Sequence, residues 1–109
     1  MSVKPIIPRD AARQDVEAAI AFYAREAGER TALRFIDSLE GAFRAIGRNP
    51  GIGSPRYGHD LDIPGLRGRL LGRFPYLVFY VEREDHVDVW RVLHAHRDIP
   101  VWMQGPPLA

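Results

Sequence analysis

The chain has 109 residues, 46% of them hydrophobic, no cysteine and a formal net charge of +1. That is the size of one domain with enough apolar content for a core. It excludes disulfides, thiolate metal sites and a cysteine nucleophile. It holds no apolar run of about 18 residues for a transmembrane helix, and the net charge is too small to argue for nucleic acid by itself, so direct nucleic-acid binding is not expected.

The N-terminus, MSVKPIIPRD, lacks the long apolar region of a signal peptide. The missing cysteines suit a reducing cytoplasm, the expected location. SVKPIIP is apolar but broken by Pro5 and Pro8, which cannot donate to a β-ladder, so it reads as an edge strand. Asp10 is placed to cap a following helix. In that helix Ala12, Val16, Ala19, Ile20 and Tyr23 fall on one stripe, and Gly28 ends it. From Glu29 the period resumes, with Ala32, Ile36, Leu39, Phe43 and Ile46 on one face, and stops before Asn49-Pro50-Gly51. Two amphipathic helices joined at one glycine form an antiparallel hairpin.

NPGIGSPRYGHDLDIPGLRG is dense in glycine and proline and reads as a surface loop. The pattern then turns β-branched and aromatic in LRGRLLGRF, YLVFYVER and HVDVWRVLHAHR. Short connections make these consecutive antiparallel strands. YLVFYV is apolar on both parities, as in a central strand covered on both faces. The predicted fold class is α+β. An N-terminal edge strand leads to a helical hairpin, which packs on one face of a three- to four-stranded antiparallel sheet in a single domain. The last residues, 99–109, read as an extended tail with Trp102 as a docking side chain.

The residues IAFYAREAGERTALRFIDSL, NPGIGSPR, PGLRGRLLGRFPYLVFYV and VDVWRVLHAHRD resemble the ParE/RelE superfamily of type II toxin–antitoxin toxins, and its ParE-like branch in particular. The resemblance runs over about residues 5–98, and FPYLVFY followed by RVLHAHRD is its most specific part. It implies a compact, cytoplasmic toxin of the plasmid-stabilising type. A small DNA-binding antitoxin with a flexible C-terminal segment would neutralise it. It also divides the expected activity. ParE-like members are associated with inhibition of DNA gyrase by binding, without established catalytic machinery. RelE-like members cut mRNA on the ribosome. A member retained as a non-toxic interaction module is the third reading.

WRVLHAHRD, residues 90–98, is where chemistry would lie. On a strand His94, His96 and Asp98 would share a face, but His94 and Asp98 would be about 13 Å apart, too far for one metal ion. No metal or other cofactor is expected. RNA cleavage needs a base, an acid and cations around the phosphorane. His94, His96, Arg91 and Arg97 contain those groups. Against a nuclease, Lys4 is the only lysine and the last tyrosine is Tyr80, whereas RelE-like ribonucleases lean on lysines and often a late tyrosine. The structural alternative makes Arg91, Arg97 and Asp98 a charge cluster closing the strand end.

Arg67, Arg69 and Arg73 in GLRGRLLGR share strand parity and would form a positive stripe. It serves either as a solvated edge that deters aggregation or as a docking surface for an acidic partner. The expected function is a binding inhibitor of gyrase rather than an enzyme. Its partner contacts would come from Tyr23, Arg67, Arg69, Arg73, Arg91, His94, His96, Arg97, Asp98 and Trp102.

Overall fold

The computed structural model describes residues 3–96, so Arg97, Asp98 and Trp102 lie outside the described residues. The elements are β1 (Ile6–Pro8), α1 (Asp10–Ala27), α2 (Glu29–Arg48), a 3₁₀ turn (Pro50–Ile52), α3 (Arg56–Asp60), β2 (Leu66–Leu70), β3 (Tyr76–Glu82) and β4 (Val87–His94). The expected α+β layer is what the chain adopts. The strands form one sheet in the order β1-β4-β3-β2. β2, β3 and β4 are antiparallel neighbours, but β1 pairs with β4 in parallel, so the sheet is mixed. β1 is limited to three residues. Its register is held by Val87 N–H donating to Pro5 O (2.8 Å) and Arg9 N–H donating to Val89 O (2.9 Å).

Gly28 joins the two helices at φ 94° and ψ 162°, a region essentially reserved for glycine. Only this residue separates α1 from α2, so the chain reverses in one step. Asp10 does not cap α1 through its side chain. It is the first helical residue, after Arg9 in extended conformation, and its carboxylate lies near the positive helix end. α1 buries Ala12 and Ala19, with Val16, Ile20 and Tyr23 packed at the core margin, as their spacing predicts. On α2 the buried line is Ala32, Phe35, Leu39 and Ile46, while Ile36 and Phe43 sit at its edge. Ala32, Leu39 and Ile46 are buried as their spacing predicts, and Phe35, outside the predicted stripe, is fully buried in place of Ile36.

Both faces of β3 are covered. Val78 and Tyr80 meet the helices, together with Val87, Val89 and Val92 of β4. Leu77, Phe79 and Val81 form a second cluster with Leu66 and Leu93, over which Tyr57, Leu61 and Ile63 pack. The Gly/Pro-rich segment is therefore not wholly irregular. It contains α3 and supplies the lid of the second core. Tyr57 and Phe79 meet edge-to-face at 5.1 Å. A bulge between Phe79 and Tyr80 leaves Trp90 as the extra residue of β4, so the inward set passes from Val87 and Val89 to Val92.

Tyr80 fastens the loop to the sheet. Its buried hydroxyl donates to Pro50 O (2.7 Å) and accepts from Gly53 N–H (2.8 Å). Burial, more than any neighbouring charge, pushes its phenol pKa up. A Cβ on Gly53 would stand 2.6 Å from the Tyr80 hydroxyl, so the close approach requires glycine. Arg67 joins the same fastening, its Nη1 donating to Gly53 O at 2.8 Å.

Candidate functional site

The C-terminal half of β4 carries the residues singled out for chemistry. Arg91 is engaged by α1. Its Nε and Nη2 donate to the two oxygens of Asp15 at 2.6 and 2.7 Å, in a bidentate pair. Asp15 Oδ2 also accepts the N–H of Val92 at 3.0 Å. β1 pairs only as far as Val89, so the edge of β4 beyond that point has no strand neighbour among the described residues. Asp15 thus satisfies an edge amide and an arginine together. The expected charge cluster with Arg97 and Asp98 lies outside the described residues, and the partner the structure assigns to Arg91 is Asp15.

β4 ends at His94, so His96 stands beyond the strand in a turn and does not continue its alternation. The two rings are 5.9 Å apart between centroids, and His94 also packs edge-on against Tyr76 at 5.3 Å. The N–H of His96 donates to His94 Nδ1 at 3.1 Å, a bond that needs Nδ1 unprotonated. That nitrogen is occupied as an acceptor within the turn. His59 and His86 are elsewhere, His86 paired with Asp85 at 2.7 Å. Among the described residues no three of His, Cys, Asp and Glu are grouped to hold a metal ion.

Tyr23 is half-buried at the hub of an aromatic cluster. Its ring lies 5.4 Å from Phe22, 5.4 Å from Phe35 and 5.1 Å from Phe74. Tyr76 completes the cluster at 6.1 Å, so Tyr23 serves the packing of the hairpin on the sheet.

The three arginines expected as one stripe separate into three environments. Arg67 and Arg69 share a face of β2, opposite Tyr80 and Val78. Arg67 is tied to the loop carbonyls of Gly53 and Gly51. Arg69 is half-exposed, with no ion pair among the described residues. Arg73 is not on the strand, because β2 stops at Leu70. It sits in the β2–β3 turn, exposed, at φ 73°. The alternation argument failed there because the strand ended before Gly72.

One ionic group was not singled out from the sequence. Asp88 is the buried charged residue of β4. It accepts from Arg9 Nε and Nη2 (3.0 and 2.9 Å), from Arg83 Nη2 (3.1 Å) and from Trp90 Nε1 (3.1 Å). The Arg9 guanidinium also lies 4.4 Å over the Trp90 ring. Hydrogen bonding by Arg9, with help from Arg83 and Trp90, holds the Asp88 carboxyl down at about 2 against the opposing effect of burial. Asp15 was missed for a different reason. It falls beside Ala12, Val16 and Ala19 on the apolar stripe of α1, and an acid in that position signals a buried partner.

Open clefts on the described surface include three with volumes of about 390, 360 and 290 Å³. None of them brings His94, His96 and Arg91 together around one substrate space.

The family described as ParE toxin of type II toxin-antitoxin system, parDE, matches residues 6–99, most of the chain. The chain belongs to the ParE toxin family of type II toxin–antitoxin systems. This ParE-family chain shares its fold with a solved structure described as the chromosomal ParDE TA system from P. aeruginosa. The TM-score is 0.70 at 19% identity, covering 84% of this chain and 96% of that one. No curated protein matches the sequence. The family match takes in β1 through the end of β4. No helix among the described residues is long and apolar enough to cross a membrane.

Proposed function

We propose that this chain is the toxin of a type II toxin–antitoxin pair and that it inhibits DNA gyrase by stoichiometric binding. It acts in the cytoplasm, in a plasmid-stabilising type of module, and a small DNA-binding antitoxin with a flexible C-terminal segment neutralises it. Membership of the ParE family over residues 6–99 supports the toxin assignment. The observation that carries binding over turnover is the internal use of the β4 end. Arg91 is held by Asp15, and His94 Nδ1 accepts the His96 N–H, so among the described residues this strand end presents no free base and acid pair. Inhibition arises if the toxin binds gyrase while DNA is cleaved and blocks religation. The antitoxin contacts the surface beside Tyr23 and the half-exposed Arg69, an acidic flexible segment being suited to both.

The test compares two activities of one preparation. Purified toxin added to gyrase lowers supercoiling and raises trapped, cleaved DNA, while mRNA on translating ribosomes stays intact. Loss of ribosome-bound mRNA with normal supercoiling sinks the proposal in favour of a ribosome-dependent endoribonuclease. Neither effect points to a non-toxic interaction module. For the antitoxin surface, Arg69→Glu weakens the complex with the product of the adjacent antitoxin gene about tenfold in a titration. Unchanged affinity removes Arg69 from the interface.

A further inference from the structure

The turn between β2 and β3 is built unusually for a solvent-facing reversal. Arg73 takes a left-handed φ of 73°, while Gly72, which could adopt it without strain, stands one residue earlier at negative φ. The chain therefore places an arginine where a glycine would rest more easily. The turn is also clamped. Ser38 Oγ on α2 donates to Gly72 O at 2.7 Å, Leu71 N–H donates to Tyr76 O at 2.9 Å, and Tyr76 N–H donates to Phe74 O at 2.8 Å. Phe74 is locked edge-on against Phe35 and Tyr23 at 5.4 and 5.1 Å.

With those carbonyls committed, the three successive N–H groups of Gly72, Arg73 and Phe74 have no acceptor among the described residues. Consecutive residues of negative and positive φ turn successive N–H groups toward one concave side, a nest that accepts anions. Beside them lies a cleft of about 360 Å³ lined by Arg34, Asp37, Ser38, Gly72, Arg73 and Phe74. Neither Arg34 nor Arg73 forms an ion pair among the described residues. Two elements thus bring two guanidinium forks to the edge of an unbonded amide turn.

We infer that this turn is a phosphate-binding seat: the amides of residues 72–74 with Arg34 and Arg73 hold the phosphodiester of a DNA strand. The donor set favours phosphate over a carboxylate. Three amides and two forks offer more donors than two carboxylate oxygens use, and both nests and arginine forks suit phosphate oxygens. Arg69, on β2 a few residues before the turn, extends the positive surface along the strand. Asp37 is the acid of the cleft and limits affinity for any anion. A chain with net charge of only +1 binds DNA weakly on its own, so such a seat adds to a protein-held complex rather than recruiting DNA alone. Only the identity of the phosphate's bearer, DNA at gyrase, rests on the proposed function. The seat itself is tested without gyrase.

Amide NMR on the full chain, titrated first with inorganic phosphate and then with a short DNA duplex, reads the site directly. Both ligands are expected to shift the amides of Gly72, Arg73 and Phe74 before others. Arg73→Gly, which relieves the backbone and raises the melting temperature, is expected to weaken duplex binding about tenfold. Arg34→Gln does likewise, each lowering the salt-dependence slope by about one. Asp37→Asn strengthens binding. Shifts centred elsewhere, or duplex affinity and salt slope unchanged in Arg73→Gly, overturn the seat. So does saturation of the turn by an acidic peptide that phosphate and DNA cannot displace. Failure here with gyrase inhibition intact removes only the seat. Phosphate and DNA binding without gyrase inhibition removes only the gyrase reading.

Discussion

Asp88 accepts five hydrogen bonds from two arginines and a tryptophan while mostly buried, and its acidity follows from that. Its folded pKa of about 2 lies below the ordinary aspartate value, so folding favours the ionised form. The sign is that of a depressed carboxylate. The stabilisation is complete above about pH 4 and is lost as the pH falls through about 2. Its size, discounted for the exposed arginine partners, is ~1–2 kcal/mol. Acid unfolding of Asp88→Asn should show a shallower pH dependence between those limits, and an unchanged curve contradicts the assignment. Tyr80 gives a second measurement at this scale. Tyr80→Phe leaves Pro50 O and Gly53 N–H without their partner and should cost ~1–3 kcal/mol in urea unfolding. Phe35, fully buried among Tyr23, Phe74 and Tyr76, should cost ~3–5 kcal/mol when truncated to alanine. Periodicity showed the stripe on which Phe35 lies but could not fix its centre, because Ile36 and Phe43 are also apolar. Asp88 was invisible for a similar reason. Alternation marks it as facing away from the helices, and the Arg9, Arg83 and Trp90 side chains that gather on it there leave no periodic signal.

At the scale of elements, the hairpin and three of the strands follow from patterns the chain displays openly. Gly28 breaks one helical period from the next, and YLVFYV carries apolar residues on both parities. The parallel pairing of β1 was not legible, since it depends on β4 returning beside the N-terminus after about 80 residues of intervening chain. α3 was hidden because one helical turn inside a Gly/Pro-rich stretch has too few residues for a period. The arginine stripe failed at its third member, where the strand ended early and the turn took Arg73 off the alternation. Two glycine-related substitutions test this level. Gly28→Ala forces a side chain into a region open essentially to glycine and should cost ~1–3 kcal/mol, read as a lower unfolding midpoint. Arg73→Gly relieves a left-handed arginine and should gain ~1 kcal/mol. A destabilised Arg73→Gly protein shows instead that the side chain makes contacts that outweigh the strain.

For the whole molecule, the sheet, its helical hairpin and its loop-built second core place the notable polar residues in two kinds of use. Some hold the fold: Asp15 with Arg91, Asp88 with Arg9, Arg67 with the loop carbonyls. Others stand at the surface, Arg34, Arg69 and Arg73 among them, available for a partner. The residues with the most suggestive chemistry, His94 and Arg91, belong to the first kind. That distribution suits a protein that acts by occupying a surface on its target. Inhibition by such a protein is counted, not timed. Titration of purified toxin against a fixed concentration of gyrase therefore tests the central claim most directly. Supercoiling should fall in proportion to toxin added and reach its floor near one toxin per gyrase binding site, at a level that does not deepen with longer incubation. Progressive loss of activity at toxin concentrations far below that of gyrase, or no loss at any ratio, contradicts it.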